Sequence, residues 1–405
     1  MSDDWEFGYC TNVHAGGTLQ QALDSLDRYA VAVRDQITPQ GRLPVGLWFS
    51  EQAVESLLSE DRASWLRQWI DERNLVAYTF NGFPQGDFHR PVVKHDVYQP
   101  TWLCQSRAKY TQSLALLMKE LLPERRPGSI STLPLGWPHA PWHAEDFRLA
   151  ADHLLSVARF LDRISQQRGS EIVLALESEP GCVLDSADDM LEFFEKYLLR
   201  GPDAHLARQY LTVCHDVCHS SVMFEPQRRA LDSYRSAGIR VGKVQVSSAI
   251  HVPWDQAADQ KTAQKSMLQQ VQSFCEPKYL HQTTRCEQNG NLESLSEDLS
   301  VALTDWIKGH RLPILPWRIH FHLPIFVERF GHLTSTASDI REACNYLETH
   351  RHSQIAQRDW FTGHYEVETY AWTVLPPPLA STNLADGIAS ELKCFHEILR
   401  CARTQ

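Results

Sequence analysis

The sequence predicts an α/β protein of the (β/α)8 TIM-barrel class, and two observations carry that expectation. A short apolar strand, a polar turn and an amphipathic helix recur along the 405 residues, giving eight strand candidates. Most of those strands finish in a coordinating side chain, and barrels gather their chemistry at the carboxyl ends of their strands. A doubly wound open sheet is the structural runner-up. No Gly-rich phosphate fingerprint follows any strand, so a dinucleotide-binding fold has little support.

The elements follow in order. The first strand candidate is residues 7–14. Thr18 and Gln21 then form a capping-box pattern, and Leu19, Leu23, Leu26, Ala30, Val33 and Ile37 mark one helix face. Residues 45–49 read as the second strand, with a helix after it carrying Val54, Leu57, Leu58, Leu66, Trp69 and Ile70. The third, 75–80, leads into a long loop over 81–101 and a helix near 102–121. The fourth is 129–135, with a helix near 143–168. The fifth, Ile172-Val173-Leu174-Ala175-Leu176-Glu177, precedes a helix near 186–199. The sixth is 210–216, the seventh 241–246, and the eighth 365–370, before a closing helix near 383–401. The stretch from about 251 to 360 is too long for one crossover. It reads as an insertion between the last two barrel strands of one domain spanning 1–405, with its own apolar segment at 317–323.

Hydrophobic residues make up 43% of the chain and the formal net charge is -11, which suits a globular core and disfavours nonspecific nucleic-acid binding. No apolar run approaches the ~20 residues of a membrane span. Residues 1–6 are acidic and lack a signal peptide's pattern, so the expected location is the cytoplasm. Ten scattered cysteines are expected as reduced thiols.

The candidate chemistry sits at strand ends. Glu177 ends the fifth strand, with Glu179 two residues on. Asp216 ends the sixth, with His219 three later. Gln245 is on the seventh, His320 and His322 are in the insertion, and Glu366 and Glu368 are on the eighth. Such donors suit Mn²⁺, Mg²⁺, Fe²⁺, Co²⁺ or Zn²⁺. Taken singly, Glu179 also reads as a helix N-cap, His320 as a structural histidine, and Cys214 with Cys218 as buried thiols. The four strand-end donors Glu177, Asp216, Gln245 and Glu368 together point to a metal site. Lys243 is a candidate for binding an anionic group, and its place two residues before Gln245 also allows a position deeper in the barrel.

The run Cys214-His215-Asp216-Val217-Cys218-His219 resembles the Asp-x-x-His strand end of xylose-isomerase-like barrels, a superfamily that includes ketose 3-epimerases and AP endonucleases. The resemblance implies that Glu177 and Glu368 are metal-binding glutamates, and it places Gln245 where many members have His. A closer likeness is to EboE-type metabolite-traffic proteins. It rests on Gly8-Tyr9-Cys10-Thr11-Asn12-Val13-His14, Asn81-Gly82-Phe83-Pro84, 128–132, Glu177-Ser178-Glu179-Pro180-Gly181-Cys182, 243–248, His320-Phe321-His322 and 366–370. It implies that the Gln is normal there, and that the chain serves a gene cluster that builds or moves a small polyol- or cyclitol-derived metabolite.

The leading expectation is a metal-dependent isomerase or epimerase of a sugar, cyclitol or related polyol. Glu177 and Glu368 would move protons, and Glu177, Asp216, Gln245, His219, His322 and Glu368 would surround the ion. Asn12, His14, Asn81, Lys94, Glu179, His219 and Lys243 would contact substrate. A non-catalytic metabolite carrier on the same barrel is the alternative, and a metal-dependent phosphodiesterase the third. Phe83, Trp102, Trp137 and Trp142 read as walls for an apolar ligand portion, as core, or as an interface in a homo-oligomer.

Overall fold

Runs such as Ile172–Glu177 and Val241–Val246 are too uniformly buried to be half-exposed strands, and parallel strands covered on both sides satisfy them. The computed structural model describes residues 7–14, 16–59, 62–123, 126–257, 260–287, 292–308, 314–355, 357–377, 379–380 and 383–404. The acidic stretch 1–6 lies outside the described residues. In chain order the strands are β1 (Gly8–Cys10), β2 (Leu43–Leu47), β3 (Leu75–Asn81), β4 (Gly128–Thr132), β5 (Ile172–Glu177), β6 (Leu211–Asp216) and β7 (Val241–Val246). There follow β8 (Ser248–Val252), β9 (Thr283–Cys286), β10 (Leu292–Ser296), β11 (Trp317–Leu323), β12 (Arg329–Phe330), β13 (Leu333–Ser335), β14 (Gln354–Ile355), β15 (Arg358–Asp359) and β16 (Tyr365–Val367). Strands β1–β7 and β16 close into a parallel barrel, with β16 filling the gap between β7 and β1.

Helices connect the barrel strands largely as expected. Thr18 caps the first one with the capping box, its hydroxyl accepting from the Gln21 N–H. That helix carries a π turn at Leu26–Ala30. Helices Gln105–Leu121, Ala144–Arg168 and Leu384–Ala402 match their expected ranges closely. The second unit holds two helices, Glu51–Ser59 and Ala63–Glu72, where one was expected.

Three strands end three or more residues short of the expectation. β1 stops at Cys10, because the Thr11 hydroxyl takes the Trp48 N–H and the chain turns into a 3-10 segment, Thr11–Val13. That turn sets Asn12 across the barrel mouth. β4 stops at Thr132, ahead of Pro134, which has no N–H for a sheet. β16 stops at Val367, leaving Glu368 at its carboxyl edge.

The insertion starts earlier than about 251. Only Ser247 separates β7 from β8, and β8 leaves the barrel for a separate six-stranded sheet in the order β10-β9-β11-β8-β13-β12. β11 runs antiparallel to both β8 and β9 at the centre of that sheet. The hairpin β14–β15 precedes β16.

Candidate metal centre

Side chains on one strand alternate faces, so Lys243 and Gln245 share the inward face of β7, and Glu366 and Glu368 that of β16. The structure sorts these pairs by depth. Lys243 is fully buried and spans the barrel, with Nζ 2.6 Å from Glu366, 3.2 Å from the Ser131 hydroxyl and 3.4 Å from the Phe80 carbonyl. Burial opposes its charge, but Glu366, together with the buried Cys10 and Cys214, outweighs that and holds the ammonium above its ordinary pKa. β2 makes room with Gly46, where a Cβ would lie 1.2 Å from Glu366 Oε1. Lys243 is thus committed to a buried ion pair below the site, and Glu366 with it. This corrects the expectation that Lys243 contacts substrate.

One layer higher, Glu177, Asp216 and Glu368 bring carboxylate oxygens within 4.8 Å of one another. All three are buried. Glu368 Oε1 accepts from the amides of Asn12 and Asn81, each at 2.7 Å, which leaves Oε2 as its open oxygen. Asp216 Oδ1 accepts from the Cys218 N–H (2.7 Å), the His219 N–H (3.1 Å) and the Ser247 hydroxyl (2.8 Å). Asp216 Oδ2, Glu177 Oε2 and both polar atoms of the Gln245 amide are buried without a hydrogen-bond partner. Gln245 lies between Asp216 and Glu366 in register on the neighbouring strands.

Burial, then Glu368 and Asp216, push the Glu177 carboxyl well up, and burial with Asp216 lifts Glu368 to about 8. Burial would raise Asp216 as well. The imidazoles of His219 and His322, together with the donors on Oδ1, reverse that and hold it below the ordinary range. Buried polar atoms are rarely left unpaired. Three acids with orphaned or open oxygens converging on one point fit a divalent cation.

An imidazole cluster adjoins the carboxylates. His219 follows Asp216 by three residues on a short helix, Val217–Val222. His320 and His322 alternate on β11, so the insertion aims both at the barrel mouth. His320 Nε2 lies 3.2 Å from Nε2 of His219 and 3.2 Å from that of His322. Taken alone, His320 reads as structural in the sequence; its two-residue spacing from His322 is the signal for a shared face. Sequence reasoning misses Gln282, and only the tertiary fold shows it: its Oε1 holds His320 Nδ1 at 2.6 Å while its Nε2 donates to Glu179 at 3.0 Å. Glu179 is fixed as well by the Tyr98 hydroxyl at 2.7 Å, so it is a buried member of the site and not a helix cap.

The cavity above these groups has a polar floor that includes Asn12, Asn81, Glu177, Glu179, His219 and Glu368. Its walls are Phe83, Phe88, Val97, Tyr98, Tyr279 and Tyr370, so Phe83 is a wall residue. Trp137 packs on the outer side of Tyr98, with ring centroids 5.3 Å apart, and Trp102 is fully buried core. Lys94 stands at the rim and is paired with Asp298 of the insertion, which ties the long loop across the mouth. His89, on the same loop, donates from Nε2 to the Asn12 carbonyl at 2.7 Å. His14 lies elsewhere. Its ring packs between Tyr9 and Tyr29 in a separate depression beside Leu26 and Trp48, so the expected substrate contact is corrected.

No protein-family model matches the chain, and no curated protein matches it in sequence. Solved structures do. An L-ribulose 3-epimerase superposes with a TM-score of 0.50 at 10% identity, covering 98% of this chain and 95% of its own. A xylose isomerase-like TIM barrel protein from Mycobacterium smegmatis, solved in complex with magnesium, gives 0.50 at 10% identity, covering 100% and 99%. At this identity the likeness is one of fold: the chain has the architecture of xylose isomerase-like barrels, whose members among these neighbours include a sugar epimerase and a magnesium-bound protein. No helix among the described residues is long and apolar enough to cross a membrane.

Proposed function

We propose that the protein is a metal-dependent isomerase or epimerase of a small sugar, cyclitol or related polyol. The observation that carries this reading is the convergence of Glu177, Asp216 and Glu368, buried with orphaned or open oxygens under a cavity at the barrel mouth. These three residues would hold the ion, with Gln245, His219 and His322 as the further donors. A bound divalent cation supplies polarisation of adjacent substrate oxygens, which acidifies a carbon-bound hydrogen beside a carbonyl. Mn²⁺, Mg²⁺, Fe²⁺, Co²⁺ and Zn²⁺ all suit such donors.

The chain's own residues supply the proton chemistry. Burial raises the Glu177 carboxyl and lifts Glu368 to about 8, the direction that suits groups which must take a proton and give one back. One removes the proton at carbon, and the same group or its partner returns one. Asn12 and Asn81 hold Glu368 by one oxygen, and the other would be the one to hold an ion. The aromatic walls exclude water and offer ring faces to the carbon skeleton of a substrate. An EboE-type role in the cytoplasm, building or moving such a metabolite, and a single domain that includes the insertion are parts of this same proposal.

The test is hydrogen exchange. Metal-loaded protein in deuterated water, given a panel of ketopentoses, ketohexoses and keto-cyclitols, is expected to place deuterium beside the carbonyl of its substrate. Glu177→Gln should abolish that exchange, with metal content measured in parallel. Tight binding of one of these compounds without exchange in any metal form would refute catalysis and establish a carrier.

A further inference from the structure

We propose that the substrate is a sugar or cyclitol joined through an ether oxygen to a rigid apolar ring, and that the ring lies against the aromatic walls of the cavity. The proposal deepens the isomerase reading above and rests on it.

The cavity is divided by polarity. Its floor is rich in hydrogen-bonding groups, and Asn12 Oδ1 is buried there without a partner, free to accept from a substrate hydroxyl. Above the floor the lining changes to Phe83, Phe88, Val93, Val97 and Leu280, with the rings of three tyrosines. The polar atoms of these walls are largely spent. The Tyr98 hydroxyl donates to Glu179 and accepts from Gln282, and Lys94 is paired with Asp298. A free ketose or cyclitol carries an oxygen on nearly every carbon. Hydroxyls on its far half would lose water against these walls and gain few partners. An apolar group in their place gains from the same burial.

The shape of the walls favours a ring. Phe83 touches Tyr98, with centroids 6.0 Å apart, and Tyr279 touches both Phe88 and Tyr370, each at 5.0 Å. Such flat faces receive a ring by stacking or edge-on contact. None of these five residues belongs to a barrel strand. Phe83, Phe88 and Tyr98 lie on the long loop after β3, Tyr279 in the insertion, and Tyr370 in a 3-10 turn beyond β16. The walls are therefore built by this chain's own loops, the part of a barrel that sets specificity.

A second, independent observation asks for the ether oxygen. The Tyr279 hydroxyl is buried and has no hydrogen-bond partner among the described residues, and the whole residue is only 3% exposed. An unpaired buried hydroxyl is unfavourable. A donor left over in an otherwise apolar wall is satisfied by one acceptor at the edge of the ligand's apolar half, and an ether oxygen between ring and polyol is such an acceptor.

The experiment compares ligands. Mn²⁺-loaded full-length protein is titrated calorimetrically with 2-ketohexoses and keto-inositols, each free and as its O-methyl, O-hexyl and O-phenyl ether at the carbon farthest from the carbonyl. One phenyl ether is expected to bind about tenfold or more tighter than its methyl ether, as burial of a phenyl group requires. Tyr279→Phe should weaken that phenyl ether about fivefold and leave Tm of the free protein no lower, since the hydroxyl has no partner to lose. A lower Tm with unchanged affinity would overturn its role as a ligand donor. Val97→Trp should narrow the cavity and remove the phenyl advantage at unchanged metal content. A free sugar or methyl ether that binds as tightly as the phenyl ether overturns the apolar half, and a hexyl ether that does so overturns the ring. No binding of any ether at millimolar concentration overturns both. Hydrogen exchange of the same compounds in deuterated water separates this proposal from the isomerase reading. Exchange of a free ketose with no phenyl advantage removes the ring and keeps the isomerase. A phenyl advantage without exchange in any metal form keeps the ring and removes the isomerase. The ligand comparison on the unaltered protein decides even if a variant fails to fold.

Discussion

Lys243→Met is the most direct test of how the barrel floor is built. Lys243 and Glu366 are both 0% exposed and 2.6 Å apart. Methionine fills much the same volume but leaves the Glu366 carboxylate buried without its counter-charge, and such a loss costs about 3–5 kcal/mol. Unfolding entropy of about 2.1 cal/mol/K per residue over 405 residues is about 0.85 kcal/mol/K, so a loss of about 4 kcal/mol lowers Tm by about 5 °C. The double variant Lys243→Met/Glu366→Gln removes both charges and should recover most of that drop. The assay is differential scanning calorimetry of metal-free protein at pH 7, comparing the single variant, the double and the parent. A single variant melting within about 1 °C of the parent, or a double no better than the single, would show that the pair is not the electrostatic unit described. A substrate-binding Lys243, by contrast, would change affinity and leave the melt alone.

Glu368→Ala should strip the carboxylate-held metal with little loss of fold, since it also removes like-charge repulsion with Asp216 and Glu366. Elemental analysis showing parental metal content in a folded Glu368→Ala protein would exclude it as a ligand. Asn81→Ala deletes one of the two donors that hold Glu368 Oε1 and should weaken metal affinity about 10–100-fold, read by competition with a chromogenic chelator. Glu391 provides the pH test. It is buried in the closing helix, accepting from the Thr369 hydroxyl, the Trp372 indole and the Ile325 N–H, and burial lifts it from 4.5 to about 7. A carboxyl raised on folding stabilises fully below its unfolded pKa and loses that contribution as pH climbs to its folded one. Each tenfold rise in proton affinity on folding is worth about 1.4 kcal/mol, so relative to Glu391→Gln the parent should lose about 2.5 kcal/mol between pH 5 and pH 8. Equal pH profiles in urea melts would contradict the assignment.

The parts of the fold that could be read from the sequence are those whose local pattern has one solution. β5 is an unbroken apolar run up to Glu177, β7 and β11 alternate apolar with polar residues over a strand's length, and the ends of all three match the expectation. Glu177, Asp216 and Glu368 were legible because each stands at the carboxyl end of a strand. The insertion's sheet was not, since β12 and β13 form a hairpin of only two and three residues, and that hairpin joins the sheet through the long-range pairing of β13 with β8. Depth was equally hidden. Alternation puts Glu366 and Glu368 on one face, but only the closed barrel shows that Glu366 sits low enough to meet Lys243. The orienting role of Gln282 depends on β9 and β11 meeting across the mouth, and no local signal carries that.

The position of β16 also shapes how the chain survives its own synthesis. β16 fills the gap between β1 and β7, yet it is made only after the whole insertion. At about 5–20 residues per second, the roughly 120 residues from β7 to β16 take on the order of 6–24 s to emerge. Through that interval β1 and β7 each present an unpaired parallel edge, the kind of surface that recruits strands from other chains. The insertion's six strands pair among themselves, so that sheet can form while the barrel still waits for its last stave. The nascent protein is therefore most adhesive with seven barrel strands made, and slower translation of the insertion would lengthen that exposure.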